Sequence, residues 1–206
     1  MLKAITRMNG LKEALNSFLK FDDAARIAQL LEAIVGSGKI SYEEAKAMIG
    51  GDTEDILILG YGWRLLLPVR AAKAGDWEDK ILTAQSGEIY QTVNVVKHLV
   101  KNASKTGHWD PELAITEAFE DIGEPESDKM STLVARIGSE AKGRRISGIQ
   151  IKRLCTELGL GDRVDPLLSE LKACGIISPK LSSLTDPNRV GTPIYELNPS
   201  LFVGDK

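Results

Sequence analysis

Two cysteines and two histidines in 206 residues leave little material for metal or redox chemistry. Cys155 and Cys174 lie 19 residues apart in no metal-ligand or redox spacing, and read as small core residues of a reduced, intracellular protein. His98 and His108 stand ten residues apart with no cysteine nearby, too sparse a set for zinc. Neither metal nor cofactor is expected. Aromatics make up only 5% of the chain, and Tyr61, Trp63, Trp77 and Tyr90 read as core rather than as a pocket. Long apolar runs are also missing. The most apolar stretch, Ile56 to Val69, is broken by Arg64 and Pro68 and is too short to span a bilayer. Lys3, Arg7 and Lys12 interrupt the first residues, which form no continuous signal-peptide core. A cytoplasmic protein without a membrane partner is the expectation.

No single sign of charge dominates, since the net charge is only −3. The balance is nevertheless uneven along the chain. Residues 1–127 carry 14 Lys plus Arg against 20 Asp plus Glu, whereas residues 128–206 carry 12 against 9. A basic C-terminal part beside an acidic N-terminal part suits a partner-binding module joined to something else.

What is present is periodicity and punctuation. Ser147 can cap a helix with Ile151, Leu154, Cys155 and Leu158 on one face, stopped by Gly159. Asp162 can cap a second, with Val164, Leu167, Leu168 and Leu171 inward and Gly175 at its end. Ile176 to Ser178 reads as a strand, Ser182 to Pro193 as a turn-rich excursion and Ile194 to Leu197 as a return strand. An approximate echo lies upstream. Ile40-Ser41 corresponds to Ile146-Ser147, Asp52 to Asp162, and Leu66-Leu67-Pro68 to Ile177-Ser178-Pro179. The expected upstream excursion is Ala71 to Asp79, with a return strand from Ile81 to Gly87. A helix is then expected from Gly87 to about Lys101, with Ile89, Val93, Val96 and Leu99 as its stripe.

Helix, turn, helix and two-stranded wing resemble the winged helix-turn-helix superfamily. Leu82-Thr83 followed by Gly87 is similar to the end of the return strand in many bacterial and archaeal regulators of that kind. The resemblance implies a mainly α fold with small β-hairpin wings, as tandem winged-helix domains joined by helices. The expected division is a helical and winged-helix domain over 1–104, a helical connector over 105–127 and a winged-helix domain over 128–206. Asp110-Pro111-Glu112 opens the connector helix with an N-cap, a proline at the first position and early negative charge.

Catalytic motifs are not found. Val35-Gly36-Ser37-Gly38-Lys39 fails as a phosphate loop, because Ala33 stands where the first glycine belongs and Ile40 where a magnesium-binding hydroxyl belongs. Gly60-Tyr61-Gly62 lacks a third glycine. Paired carboxylates at Glu43-Glu44, Glu54-Asp55 and Glu120-Asp121 fall at helix starts or on solvated faces, and no nucleophile is nominated. The chain reads as a binding protein, not an enzyme.

The resemblance implies double-stranded DNA as partner and a role in transcription regulation, through the C-terminal copy. Arg163 and Ser169 would address base edges on the recognition helix, beside Lys172 on its exposed side. Arg144, Arg145, Lys152 and Arg189 would touch backbone, with Arg153 on the first helix and Lys180 at the wing. Acidic residues restrain this reading. Asp165 and Glu170 lie on that same helix, and its upstream counterpart begins Asp52-Thr53-Glu54-Asp55. The alternative is a winged-helix protein-interaction or scaffold module, with the N-terminal copy packing, dimerising or binding a protein.

Overall fold

The computed structural model describes residues 2–74, 77, 82, 84–180 and 192–203. The protein is mainly helical, with two small three-stranded antiparallel sheets. Helix α1 (Leu2–Leu15) precedes a run of α2 (Phe21–Ser37), strand β1 (Ile40–Ser41), α3 (Tyr42–Ile49), α4 (Thr53–Gly62), β2 (Leu67–Pro68), α5 (Val69–Ala74) and β3 (Ile89–Gln91). Helices α6 (Asn94–Thr106) and α7 (Pro111–Asp121) follow. A second run comprises α8 (Ser127–Glu140), β4 (Arg145–Ser147), α9 (Gly148–Glu157), α10 (Val164–Ala173), β5 (Ile177–Pro179) and β6 (Ile194–Leu197).

Apart from the short α5, the two runs share one order: helix, strand, helix, helix, strand, strand. In each sheet the last strand lies between the other two, giving β1-β3-β2 and β4-β6-β5. Ile40 faces Tyr90 in the first, and Ile146 faces Tyr195 in the second. The sequence dictates this locally at the same place twice. Ser41 and Ser147 each end a strand and cap the next helix, accepting from the Glu44 and Gln150 amides. Glu44 and Gln150 reach back to the serine amides at 2.8 and 3.1 Å, completing two capping boxes. The proposed pairing of Ile40-Ser41 with Ile146-Ser147 therefore has a shared geometry.

Three upstream expectations are corrected. Residues 69–74 form α5, where an excursion was expected to begin, and the remainder of that segment lies largely outside the described residues. The return strand is Ile89–Gln91 rather than Ile81 to Gly87, where Ser86 and Gly87 form a turn. Tyr90 points inward and is fully buried while Ile89 is exposed, so Ile89 belongs to a strand alternation and not to a helix stripe. Helix α6 consequently starts later, at Asn94, and runs past Lys101 to Thr106, burying Asn102 and Ala103.

The core runs continuously through both halves. Leu11, Leu15, Ile27, Leu31 and Leu99 belong to it upstream, and Met130, Leu133, Ile151, Leu167 and Ile177 downstream. Helix α7 packs on α6 and on α8. The Val95 amide donates to the Cys174 carbonyl at 3.0 Å, tying the start of α6 to the end of α10. Trp77 is pinned between the halves. Its amide donates to Ser178 Oγ at 3.0 Å, and its carbonyl accepts from the Tyr61 hydroxyl at 2.6 Å. Trp109 Nε1 donates to the Ser200 carbonyl at 2.8 Å.

Candidate binding surfaces

Lys142, Gly143, Arg144 and Arg145 form a tight turn between α8 and β4, closed by reciprocal backbone bonds between Lys142 and Arg145. Gly143 and Arg144 both have left-handed backbones, with φ of 59° and 63°, as a hairpin turn of the I′ type requires. Arginine adopts this conformation rarely. Its guanidinium lies 5.7 Å from the centre of the Trp63 ring, a cation–π contact that joins this turn to the end of α4. Lys142, Arg144 and Arg145 are all exposed.

The other proposed contacts are divided. Lys152 and Arg153 are exposed on α9, but Arg153 pairs with Glu140 and lies 3.8 Å from Glu157. Ser169 is exposed and donates to the Asp165 carbonyl at 3.3 Å. Lys172 turns to a cavity against α6. Lys180 closes the ladder beyond β5, its amide donating to the Ile194 carbonyl at 2.8 Å. Arg189, and most of the excursion from Ser182 to Pro193, lie outside the described residues.

Arg163 is committed elsewhere. Its two terminal nitrogens each lie 2.6 Å from an oxygen of Glu124, whose side chain is completely buried. Glu126 and Glu170 complete the surround at 3.7 and 3.9 Å. The Arg163 hydrogen bonds hold the Glu124 carboxyl down at about 2, overcoming the burial that opposes ionisation. Burial, then the neighbouring Glu124, pushes Glu170 upward. Arg163 thus serves an internal pair with the segment before α8.

The two helices that stand third in their runs, α4 and α10, carry no cation on their outer faces. On α4 the exposed residues include Glu54, Asp55 and Ile58, the last 50% exposed, with Met48 of α3 also exposed. On α10 they include Asp165, Pro166 and Ser169.

Other features have no local signature in the sequence. His98 is buried on α6, with Nδ1 3.1 Å from Glu117 and Nε2 2.8 Å from Asp121 on α7. Asn102 Nδ2 donates to Glu117 at 2.7 Å. Two cavities open along the joint of the halves. One, of about 930 Å³, is lined by Phe18, Trp63, Arg144, Leu197 and Phe202; the other, of about 440 Å³, by residues that include Trp77, Thr92 and Lys172. Trp63 and Trp77, read as core, thus also border space. Among the described residues no helix is long and apolar enough to cross a membrane.

This fold is that of a mainly helical protein whose two runs of elements share one order, each closed by a small three-stranded antiparallel sheet. A family model whose description states no function matches residues 9–204, and the chain belongs to that family. No curated protein and no solved structure matches it.

Proposed function

We propose that this chain is a tandem winged-helix binding protein whose principal partner is another protein. The repeated element order, the central last strand of each sheet and the paired capping boxes support the winged-helix reading. In that architecture the third element of helix type would be presented to a groove. The observation that carries the choice of partner is the chemistry of those two helices. Glu54 and Asp55 on α4, and Asp165 on α10, would meet phosphates unfavourably, and Arg163 is occupied by Glu124. Ile58, one helical turn from Glu54 and Asp55 on α4, and Met48 on α3 are exposed apolar side chains that instead suit a protein partner with a basic-rimmed apolar surface.

A photo-crosslinking residue at position 58 tests this in extract of the source cells, with Glu120 on the exposed side of α7 as the control position. A discrete protein adduct from 58 and none from 120 is expected. Equal labelling from both positions would overturn the docking face.

A second reading, DNA binding in transcription regulation, is favoured by the exposed turn of Lys142, Arg144 and Arg145 and by Lys152. These cations suit backbone contact. Fluorescence anisotropy on random duplex at several salt concentrations separates the readings. Tight, steeply salt-dependent binding that falls with Arg144→Ala plus Arg145→Ala would establish the DNA reading. Affinity unchanged by that pair would remove these arginines as phosphate contacts.

A further inference from the structure

The cavity of about 930 Å³ lies between the halves. Residues after α1 and at the end of α4 border it from one side, and α8, the turn before β4 and the segment after β6 from the other. Its volume falls in the range of small-molecule sites, which favour such joints. Three features define what it would hold.

The first is an apolar lining that a guest can reach. Phe18, Trp63 and Phe202 border the cavity in a chain that is only 5% aromatic, together with Leu197 and Pro199. All three aromatic residues keep part of their surface exposed. Their rings are also held in place. Phe18 packs on Trp63 and on Trp109, with centroids 4.9 and 5.4 Å apart. Phe202 lies so close to Gly138 of α8 that a Cβ there would fall 2.3 Å from its ring. Such a preorganised wall loses little freedom on binding.

The second is one uncommitted cation. Arg144 lines the cavity and is exposed. The Leu197 amide donates to its carbonyl at 2.9 Å, tying its turn to β6, and its guanidinium stands 5.7 Å from the centre of the Trp63 ring. No carboxylate pairs with it among the described residues, since Glu140 is taken by Arg153 and Glu196 by Arg64.

The third is the rest of the polar lining. No acidic side chain borders the cavity among the described residues. Its two hydroxyls donate to backbone, Ser17 to the Ala14 carbonyl at 2.7 Å and Ser139 to the Arg136 carbonyl at 2.8 Å. Arg144 is therefore the one charged donor there among the described residues. An apolar lining with a single guanidinium matches a ligand that is mostly hydrocarbon and carries one acid group, which arginine can grip through two parallel hydrogen bonds.

We propose that this cavity binds a small apolar carboxylic acid, its carboxylate on Arg144 and its hydrocarbon body against the Phe18, Trp63 and Phe202 rings. Such binding does not depend on which macromolecule the outer faces take.

Calorimetric titration of the full chain with 2-naphthoate and with octanoate, each beside its neutral alcohol (2-naphthylmethanol, 1-octanol), tests this. Saturable one-to-one binding of at least one acid is expected, and the tighter of the two tells whether the body is aromatic or aliphatic. The matching alcohol should bind at least about fivefold more weakly. Arg144→Asn suits the left-handed backbone of the turn, and should bring the acid down to the level of the alcohol while leaving the alcohol unchanged. Ser139→Trp fills the cavity from an exposed position on α8, and should weaken acid and alcohol alike. Circular dichroism identifies a variant that has lost its fold, and the comparison of acid with alcohol in the unaltered chain needs no variant. No saturable binding of either acid, an alcohol that binds as tightly as its acid, or an affinity indifferent to either substitution would overturn the proposal.

Discussion

Arg163 grips Glu124 through two parallel hydrogen bonds of 2.6 Å across 39 residues of sequence, with the carboxylate shut away from solvent. Because folding lowers the Glu124 value to about 2, its stabilisation is present above the ordinary carboxylate range and is lost as pH falls through that range toward 2. Removing the arginine strands a buried charge. Arg163→Ala is expected to cost about 2–4 kcal/mol in urea unfolding at pH 7. Glu124→Gln should flatten the acid limb of the stability profile between about pH 4.5 and 2.

Glu170 bears the opposite sign. Burial and the adjacent Glu124 raise its value, so its folded contribution is most favourable at low pH and declines as pH rises past the ordinary glutamate range. Its Oε2 is buried without a partner. Glu170→Gln should therefore stabilise the protein by about 0.5–1 kcal/mol at pH 7 and by nothing at pH 4, as urea midpoints would show.

Gly175 is the tight point of the joint. Its φ is +78°, and a Cβ placed there would fall inside contact distance of the Val93 side chain at the start of α6. Gly175→Ala is expected to cost about 3 kcal/mol or more from steric overlap and the left-handed backbone together. Adding Val93→Ala should recover part of the loss and leave about 1 kcal/mol for the backbone, a non-additivity that a double-mutant cycle reads directly.

The two serine caps should behave alike. Ser41→Ala and Ser147→Ala are each expected to lower stability by about 1 kcal/mol, and the double variant by about the sum. A markedly larger loss from one alone would show that the two boxes are not equivalent.

Both thiols should resist labelling. Burial pushes Cys174 up to about 12 and raises Cys155, so neither presents a thiolate at pH 8. A chromogenic disulfide reagent should titrate none in the native protein and two after unfolding; rapid native reaction at either position would contradict its burial.

The sequence carried those parts of the fold whose cause is local. Ser41 with Glu44 and Asp110 with Pro111 were readable because a cap and its amide lie within three residues. The buried stripe of Val164, Leu167 and Leu171 was readable because helical spacing repeats over several turns. Strand β3 was not, since three residues hold only one inward position, Tyr90, and the helix pattern claimed Ile89 from the same letters. The candidate surfaces were legible in composition but not in pairing. Nothing near Arg163 announces Glu124, and nothing near Trp77 announces Ser178, because those partners meet only when distant segments pack.

Trp77 is held from one side by Tyr61 and from the other by Ser178, one residue from each half. The two copies are consequently poor material for exchange. A gene fusion that replaced either half with that of a relative would have to bring a matching residue for the far side of the Trp77 backbone. Inheritance should therefore keep the pair intact, with changes at 61 and 178 arising together rather than one by one.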